Sequence, residues 1–369
     1  MSLLKKAEYC VRRIETYFVL ERRKQYWTRL MEDNVASISQ KTIGGGNLSG
    51  NQKESVKDLF RNTPAFSFIF HRFYTMATGI FSEKYMPDSL YYQYIDPYFN
   101  NWNMAKYLDH KGMYRNMFPG AKQPRLLAYR MNGFWYDENG KMIDIHKALA
   151  IIMKCKSCFI KQAVDSEGGH GVFFVNPKQH TIDSINDLLN QTTIDIVVQE
   201  GLVQSDTLSA INKNSVNTIR LLTLLRLDGT VKIYSVVLRM GIGDAKVDNA
   251  SSGGITVGVE DNGRLKSCAY SAKGMRFDIH PTSNVKFDDF IIPNYEKVKQ
   301  TVIEQAHNFP HFRLISWDIA LDADDNPIII EANLKYGEID FHQLNNGPLF
   351  GDDTKEILDE VFSSRFKSC

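Results

Sequence analysis

No run of about 18 apolar residues occurs in this 369-residue chain, so no membrane-spanning helix is expected. Charge of one sign is also missing. Lys and Arg number 44 against 43 Asp and Glu, a net +1. That balance excludes a surface built throughout for nucleic acid, because counterion-release binding needs a basic excess. A local basic patch stays compatible with it. Cysteine is sparse and odd in number: Cys10, Cys155, Cys158, Cys268 and Cys369, with no regular spacing. They read as reduced thiols of a cytoplasmic protein. The lone Cys155-Lys-Ser-Cys158 has no second ligand pair for zinc and no thioredoxin-like context, so it reads as incidental cysteines entering a strand. No uninterrupted apolar segment follows Met1–Lys6, so no signal peptide is expected. Low-complexity tracts are absent, and aromatics at 12% exclude a disordered chain.

What is present is an ordinary globular composition, 43% apolar and 24% charged. The length predicts two to three domains. Residues 5–30 hold eight basic residues, Lys5, Lys6, Arg12, Arg13, Arg22, Arg23, Lys24 and Arg29, against three acids, a local excess of +5. Val11, Ile14, Tyr17, Phe18 and Leu20 recur near helical spacing. The stretch reads as a helix packed on the main body with a solvated basic face. The other reading is a basic amphipathic helix touching an anionic membrane or a partner. Thr42–Asn51 reads as a linker from its Gly and Asn content.

Beyond the linker, helices are expected around 53–61 and 102–110, and a short one over 141–150. Strands are expected at 158–164, 172–175 and 195–199, with a helix at 182–190 between the last two. The second half is strand-rich: 218–227 and 231–239 flank Asp228-Gly229, a strong hairpin signal. Residues 254–259 and 264–269 flank Asp261-Asn262-Gly263, and a helix is expected over 295–307. Strands 314–321 and 327–331 are joined by the turn Asp322–Asn326. The expected fold class is therefore α/β to α+β, with an antiparallel-rich C-terminal sheet and an N-terminal helical extension.

The most informative stretch is 316–333, SWDIALDADDNPIIIEAN. Asp318 sits within one apolar strand and Glu331 ends its partner, with Asn333 two residues on and on the same face as Glu331. Ionised acids inside apolar strands are costly without partners. Two carboxylates and an amide oxygen facing one point suit Mg²⁺. Asp322, Asp324 and Asp325 lack the glycine and terminal Glu of an EF-hand loop and read as a solvated turn. Residues 159–172, FIKQAVDSEGGHGV, place Lys161 on a strand before a glycine-rich loop. Gly168, Gly169 and Gly171 let backbone N–H groups approach a polyphosphate, and Lys161 adds a point charge. Together the two features suggest a nucleotide held between two lobes.

These residues, in this order, resemble ATP-grasp enzymes, and most closely the sugar-transfer-associated ATP-grasp group. α-L-Glutamate ligases, bacterial glutathione synthetase and D-alanine–D-alanine ligases are relatives. The resemblance covers roughly residues 95–350. Residues 1–55, read as an N-terminal extension and linker, lie outside it, and it implies an α/β region ahead of the clamp over 56–130. A small subdomain over 131–200 and a large one over 201–369 would follow. Two lysines would bind the ATP phosphates: Lys161, and Lys106 in Asn-Met-Ala-Lys-Tyr-Leu. Ser166–Gly171 would be the loop over ATP, with His170 a phosphate or substrate contact. Gln199, Glu200 and the Leu202 backbone would face the adenine, and Asp206 the ribose. Arg220 would contact phosphate or substrate. Arg239 would stabilise developing negative charge. Asn249, Gly253 and Gly254 would lie near the transferred phosphate. Relatives often carry an arginine two residues before that asparagine; here Val247 stands there, preceded by Lys246. Asp318, Glu331 and Asn333 fall on the magnesium ligands, and His342 and Gln343 on the substrate side.

The resemblance implies ATP and Mg²⁺, two ions, as cofactors. The implied activity is a cytoplasmic carboxylate–amine ligase working through an acylphosphate. Its substrates would be a small-molecule carboxylate and an amine, the former a carboxyl-bearing sugar, sugar nucleotide or glycan precursor of a cell-surface polysaccharide such as a capsule. The alternative is an ATP-grasp-type kinase that phosphorylates a hydroxyl and stops. A degenerate nucleotide-binding scaffold would require missing lysines or metal ligands, and the candidates are all present.

Overall fold

The structure is a computed structural model that describes residues 3–39, 46–108, 110–164, 171–191, 195–245, 248 and 253–363. Side chains of residues 3–17, 106, 107 and 115 lie outside the description. The chain divides into two compact units. The first takes residues 1–99, 270–276 and 338–369, and the second takes 100–269 and 277–337.

The described part of the first unit is largely helical. Helix Leu3–Ser39 is followed by helix Gly50–Leu59, whose start is set by a capping box. There the Gln52 N–H donates to Ser49 Oγ at 3.2 Å while Gln52 Oε1 accepts from the Ser49 N–H at 2.8 Å. Helix Ile69–Thr78 buries Phe70, Phe73 and Tyr74. A π-helical turn, Tyr91–Ile95, is inserted between short helical pieces and turns Tyr91 and Ile95 into the core. Gly274 has φ +75°, and a Cβ there would meet Ile38 Cδ1 at 2.8 Å, so both conformation and space require glycine. Helices Asp340–Asn346 and Thr354–Ser363 complete the unit. The 56–130 stretch is helical until Leu126, where the first strand begins.

The second unit holds two antiparallel-rich sheets, apart from residues 270, 271 and 276 at their edge, which fall in the first. The strands of the first are β1 (Leu126–Met131), β2 (Phe134–Asp137), β3 (Met142–Ile143), β4 (Cys158–Gln162), β5 (Val172–Val175) and β6 (Ile196–Glu200). The second contains β7 (Thr218–Leu225), β8 (Val231–Met240), β9 (Ile255–Val259), β10 (Leu265–Ser271), β11 (Arg276–Phe277), β12 (Leu314–Leu321) and β13 (Pro327–Asn333). Their orders are β3-β2-β1-β6-β4-β5 and β11-β10-β9-β8-β7-β12-β13. Helices Ile145–Ile152 and Ile182–Gln191 cover the smaller sheet with Leu149, Ile152, Ile185 and Leu189. The larger sheet packs Ile219, Leu221, Leu238, Val257 and Trp317 against Val298 and Val302 of helix Tyr295–Ala306. Among the described residues no helix is long and apolar enough to cross a membrane.

The hairpin turns follow from side-chain chemistry. At β7–β8, Gly229 takes φ +86° and Asp228 Oδ1 accepts from the Thr230 N–H at 2.9 Å. At β12–β13, Asp322 Oδ1 accepts from the Asp324 and Asn326 N–H groups at 3.0 and 2.8 Å. The acidic turn thus closes on its own backbone.

Candidate functional site

One face of the larger sheet is apolar and buried against helix Tyr295–Ala306. The opposite face carries a row of polar residues that the ladder lines up. Asp318 pairs with Glu331 on one side and Arg220 on the other, and Ser316 pairs with Asn333. Arg239 pairs with Thr218 and Thr256 in the next ladders. Residues paired across a ladder share a face, so these side chains form one continuous strip.

That arrangement depends on a bulge. Pro327 pairs with Leu321, Ile328 with Ala320 and Ile329 with Ile319, yet the next pair is Asp318 with Glu331. Ile330 is therefore the extra residue. Without it Glu331 would face the apolar core beside Trp317, because one register step flips every side chain.

Asp318 is only 4% exposed, and buried arginines surround it. Arg220 grips it with two parallel bonds, Nε to Oδ1 at 2.5 Å and Nη2 to Oδ2 at 2.6 Å. Arg239 Nη1 straddles the same oxygens at 3.2 and 3.1 Å. Burial pushes the Asp318 pKa up, but the two guanidiniums outweigh it and bring it to about 2. Arg239 is held from its other side by Asp248, at 3.6 Å. Asp248 in turn accepts from the Thr218 N–H at 3.1 Å and from the Thr218 hydroxyl.

The smaller sheet brings lysines to the same place. Lys161 lies on β4, paired with Val172 and Val197. Lys111 opens a 3-10 turn, Lys111–Met113, capped by His110 Nδ1, which accepts from the Gly112 N–H at 3.1 Å. The Lys111 N–H donates to the Ala163 carbonyl at 2.9 Å, which docks the turn beside β4. From there Lys111 Nζ reaches Glu331 Oε1 at 2.8 Å. Burial first, and then the Lys111 charge, bring the Lys161 pKa down to about 8 against the opposing pull of Glu331. Two ammoniums and a carboxylate thus interact at the meeting of the two sheets.

The connection between the sheets runs through the expected adenine-reading segment. The Glu200 N–H donates to the Arg125 carbonyl at 2.8 Å, and the Gly201 N–H to Ser157 at 2.9 Å. A Cβ on Gly201 would lie 2.3 Å from Ser157 Oγ, so a side chain there would require the Ser157 hydroxyl to turn away. Gln199 is buried within the sheet, Leu202 is half-buried, and Asp206 is exposed in the first turn of helix Asp206–Ile211. The Ser205 N–H donates to the Leu321 carbonyl at 3.1 Å, fastening the segment to β12. Cys158, paired with Glu200, is buried, and burial pushes the thiols of Cys155 and Cys158 up.

Of the site residues expected from sequence, Lys161, Arg220, Arg239, Asp318, Glu331 and Asn333 lie on the facing parts of the two sheets. Gly253 and Gly254 lead into β9, with Gly253 at φ +91°. Gly171, at φ +71°, follows the glycine loop and its carbonyl accepts from the Gln162 N–H at 3.1 Å. Ser166, Gly168, Gly169, His170 and Asn249 lie outside the described residues, as does the side chain of Lys106. His342 and Gln343 belong to the first unit. Both are fully buried, and Gln343 accepts from the Met86 N–H at 2.7 Å and donates to its carbonyl at 2.9 Å.

Sequence reasoning passed over Lys111 and Asp248. Lys111 falls beyond the helix expected at 102–110, which in the structure stops at Leu108. Only a long-range docking on Ala163 gives it meaning. Asp248 stands one residue before the noted Asn249, and no local pattern separates it from Asp244.

The donor chemistry fits a magnesium ion. Glu331 and Asn333 are half-buried, Asp318 is kept ionised, and Asn333 Nδ2 donates to the Ser316 carbonyl at 3.0 Å, which leaves Oδ1 as its ligand atom. Among the described residues no group of three or more His, Cys, Asp or Glu forms a ready metal cluster. The set here is two carboxylates and an amide.

A comparison with solved structures finds similarity to the ATP-grasp ligase PsnB complexed with minimal precursor, at 15% identity and TM-score 0.39, over 71% of this chain and 63% of that one. It also finds D-alanyl-alanine synthetase A from Vibrio cholerae, at 13% identity and TM-score 0.41, over 69% and 64%. A third is the biotin carboxylase domain of 2-oxoglutarate carboxylase from Hydrogenobacter thermophilus in complex with MgADP, at 12% and 0.43, over 71% and 47%. The chain spans less than two thirds of the length of each. A comparison with curated proteins finds no match. The family model for sugar-transfer associated ATP-grasp proteins matches residues 90–357. The chain belongs to the sugar-transfer-associated ATP-grasp family.

Proposed function

We propose that the chain is an ATP-dependent carboxylate–amine ligase. It activates a carboxylate as an acylphosphate and joins it to an amino acid or another amine. In this reading the activated partner is a carboxyl-bearing sugar or glycan precursor, in cytoplasmic steps of cell-surface polysaccharide synthesis; the family's association with sugar transfer is what favours a sugar. The observation that carries the reading is the 2.8 Å contact between Lys111 and Glu331, with Lys161 coupled to both. It joins cations suited to a polyphosphate with the carboxylate hairpin.

In this reading Lys111 and Lys161 hold the phosphate oxygens as point charges. Lys111 is released from Glu331 when a nucleotide engages it. Asp318, Glu331 and Asn333 hold magnesium, two ions in the proposed full site. When bound, the metal neutralises charge that builds on the transferred phosphoryl group. Arg239 is fixed by Asp318 and Asp248, so its guanidinium is preorganised for the acylphosphate and the tetrahedral species after it. Arg220 holds Asp318 in the ionised state that ligation needs. Glu200, Gln199 and the Leu202 backbone take the adenine edge, Asp206 the ribose, and the Ser166–Gly171 segment the phosphates. Asn249, Gly253 and Gly254 are assigned to the transferred group.

The test is ADP release across amino acids paired with uronic acids or sugar nucleotides, with mass spectrometry of the product. A ligase requires both substrates together and yields an amide. A stable phosphorylated alcohol formed without an amine would identify a kinase and overturn the reading.

A further inference from the structure

The N-terminal helix Leu3–Ser39 has two faces over its described side chains. Met31, Val35 and Ile38 are buried on one, and Trp27 on the same face stacks on Tyr92 with ring centroids 4.3 Å apart. Packing on the first unit thus accounts for one side of the helix.

The other side is different. Phe18 is 61% exposed, Tyr26 60%, Val19 49% and Leu30 42%. Arg22, Arg23 and Arg29 are exposed as well. At 3.6 residues per turn these seven side chains fall within about 140° of the helix circumference. Among the described side chains Asp33 is the one acid in that sector, and Glu21 is tied to Lys24 at 3.3 Å outside it. Single exposed apolar residues are ordinary, but four on one helical stripe make a patch.

The charge pattern selects the occupant. A second copy of the helix would want flanking charges of both signs, as coiled-coil seams have. Here the charges within the stripe are mostly arginine, so self-pairing would set arginine against arginine. Arginines interleaved with aromatic and aliphatic side chains on one face instead match the anionic surface of a bilayer. The apolar groups can enter the headgroup region while the guanidiniums meet lipid phosphates. We propose that this stripe docks the protein on an anionic lipid surface, with the helix lying in the interface plane. The inference does not depend on the ligase reading.

The experiment is co-sedimentation of the full chain with vesicles of phosphatidylcholine containing about 30 mol% phosphatidylglycerol, and with phosphatidylcholine alone. Binding is expected to the first and not the second, and it should weaken as salt rises. Replacing Arg22, Arg23 and Arg29 together by Gln should weaken it about a hundredfold. Phe18→Ser with Tyr26→Ser should weaken it at least about tenfold. These residues are exposed, so circular dichroism and thermal melting should match the parent. Equal binding to neutral vesicles, no binding to either, or variants that bind like the parent would overturn the proposal. A concentration-dependent dimer abolished by the Phe18 and Tyr26 changes, without vesicle binding, would assign the stripe to a second copy instead.

Discussion

Asp318 and Asp88 are each 4% exposed, yet their pKa values move in opposite directions. Asp318, in the second unit, has two guanidiniums within hydrogen-bond distance and a pKa brought down to about 2. Asp88, in the first unit, is pushed well above the usual carboxylate range by burial and then by the charge of Asp340. Its contact with the Tyr74 hydroxyl at 3.3 Å only partly opposes this. Burial alone therefore does not mark a functional acid. What separates the two is the company each keeps. Asp318 sits in a strip where two guanidiniums favour its charged form, and Asp88 sits in an aromatic core where burial and Asp340 favour the neutral form.

The largest expected effect follows from breaking the first of these. Asp318→Ala leaves Arg220 and Arg239 buried without their shared anion, and it should cost about 3–5 kcal/mol in urea unfolding. ATP turnover should be lost with it. Asp248→Ala touches the same arginine from its far side. It should lower turnover about a hundredfold by letting Arg239 drift, with a much smaller change in stability. Asp248→Asn should recover part of that loss, since it keeps an acceptor for the Thr218 N–H. Equal loss of turnover in both variants would mean that the charge of Asp248, and not its acceptor for Thr218, holds Arg239.

Lys161 supplies a pH test. With its pKa near 8, it is charged below that value and neutral above it. ATP affinity measured by calorimetry should fall as pH rises through about 8, and Lys161→Arg should flatten the fall. An unchanged profile in the variant would point to another group.

The smallest effect belongs to Asp88. Its folded pKa is raised, so its contribution to stability is full below the unfolded value of 3.8 and is lost as pH rises toward the folded one. Asp318 works the other way: its contribution is present above 3.8 and is lost as pH falls through about 2. Asp88→Asn should cost no more than about 1 kcal/mol at acid pH and should remove the decline toward neutrality, as followed by urea unfolding. A steeper decline in the variant would show that Asp88 is ionised in the folded protein.

Much of the second unit was legible in the sequence because its strands are long, apolar and bounded by turn residues. The strand 314–321 and the helix over 295–307 emerge within a residue of expectation. The hairpin and its candidate magnesium ligands were readable, but the register that aligns them was not. Counting back from the turn puts Ile330, not Glu331, opposite Asp318, and only the bulge corrects this. The strands β1–β3, of six, four and two residues, were not anticipated, since such short strands carry little periodic signal. Lys111 escaped because its role comes from docking against Ala163, a contact between distant parts of the chain. The return of residues 338–369 to the first unit likewise has no local mark.

The central claim is that the lysines beside β4 and the carboxylates of the β12–β13 hairpin form one magnesium–nucleotide site. The most direct measurement is calorimetric titration of ATP, with and without Mg²⁺, into the parent chain and into Lys111→Ala, Glu331→Ala and Asp88→Asn. The account predicts magnesium-dependent binding that weakens at least about tenfold in the first two variants and is unchanged in the third. Binding that is indifferent to Mg²⁺, or that survives both Lys111→Ala and Glu331→Ala intact, would contradict it.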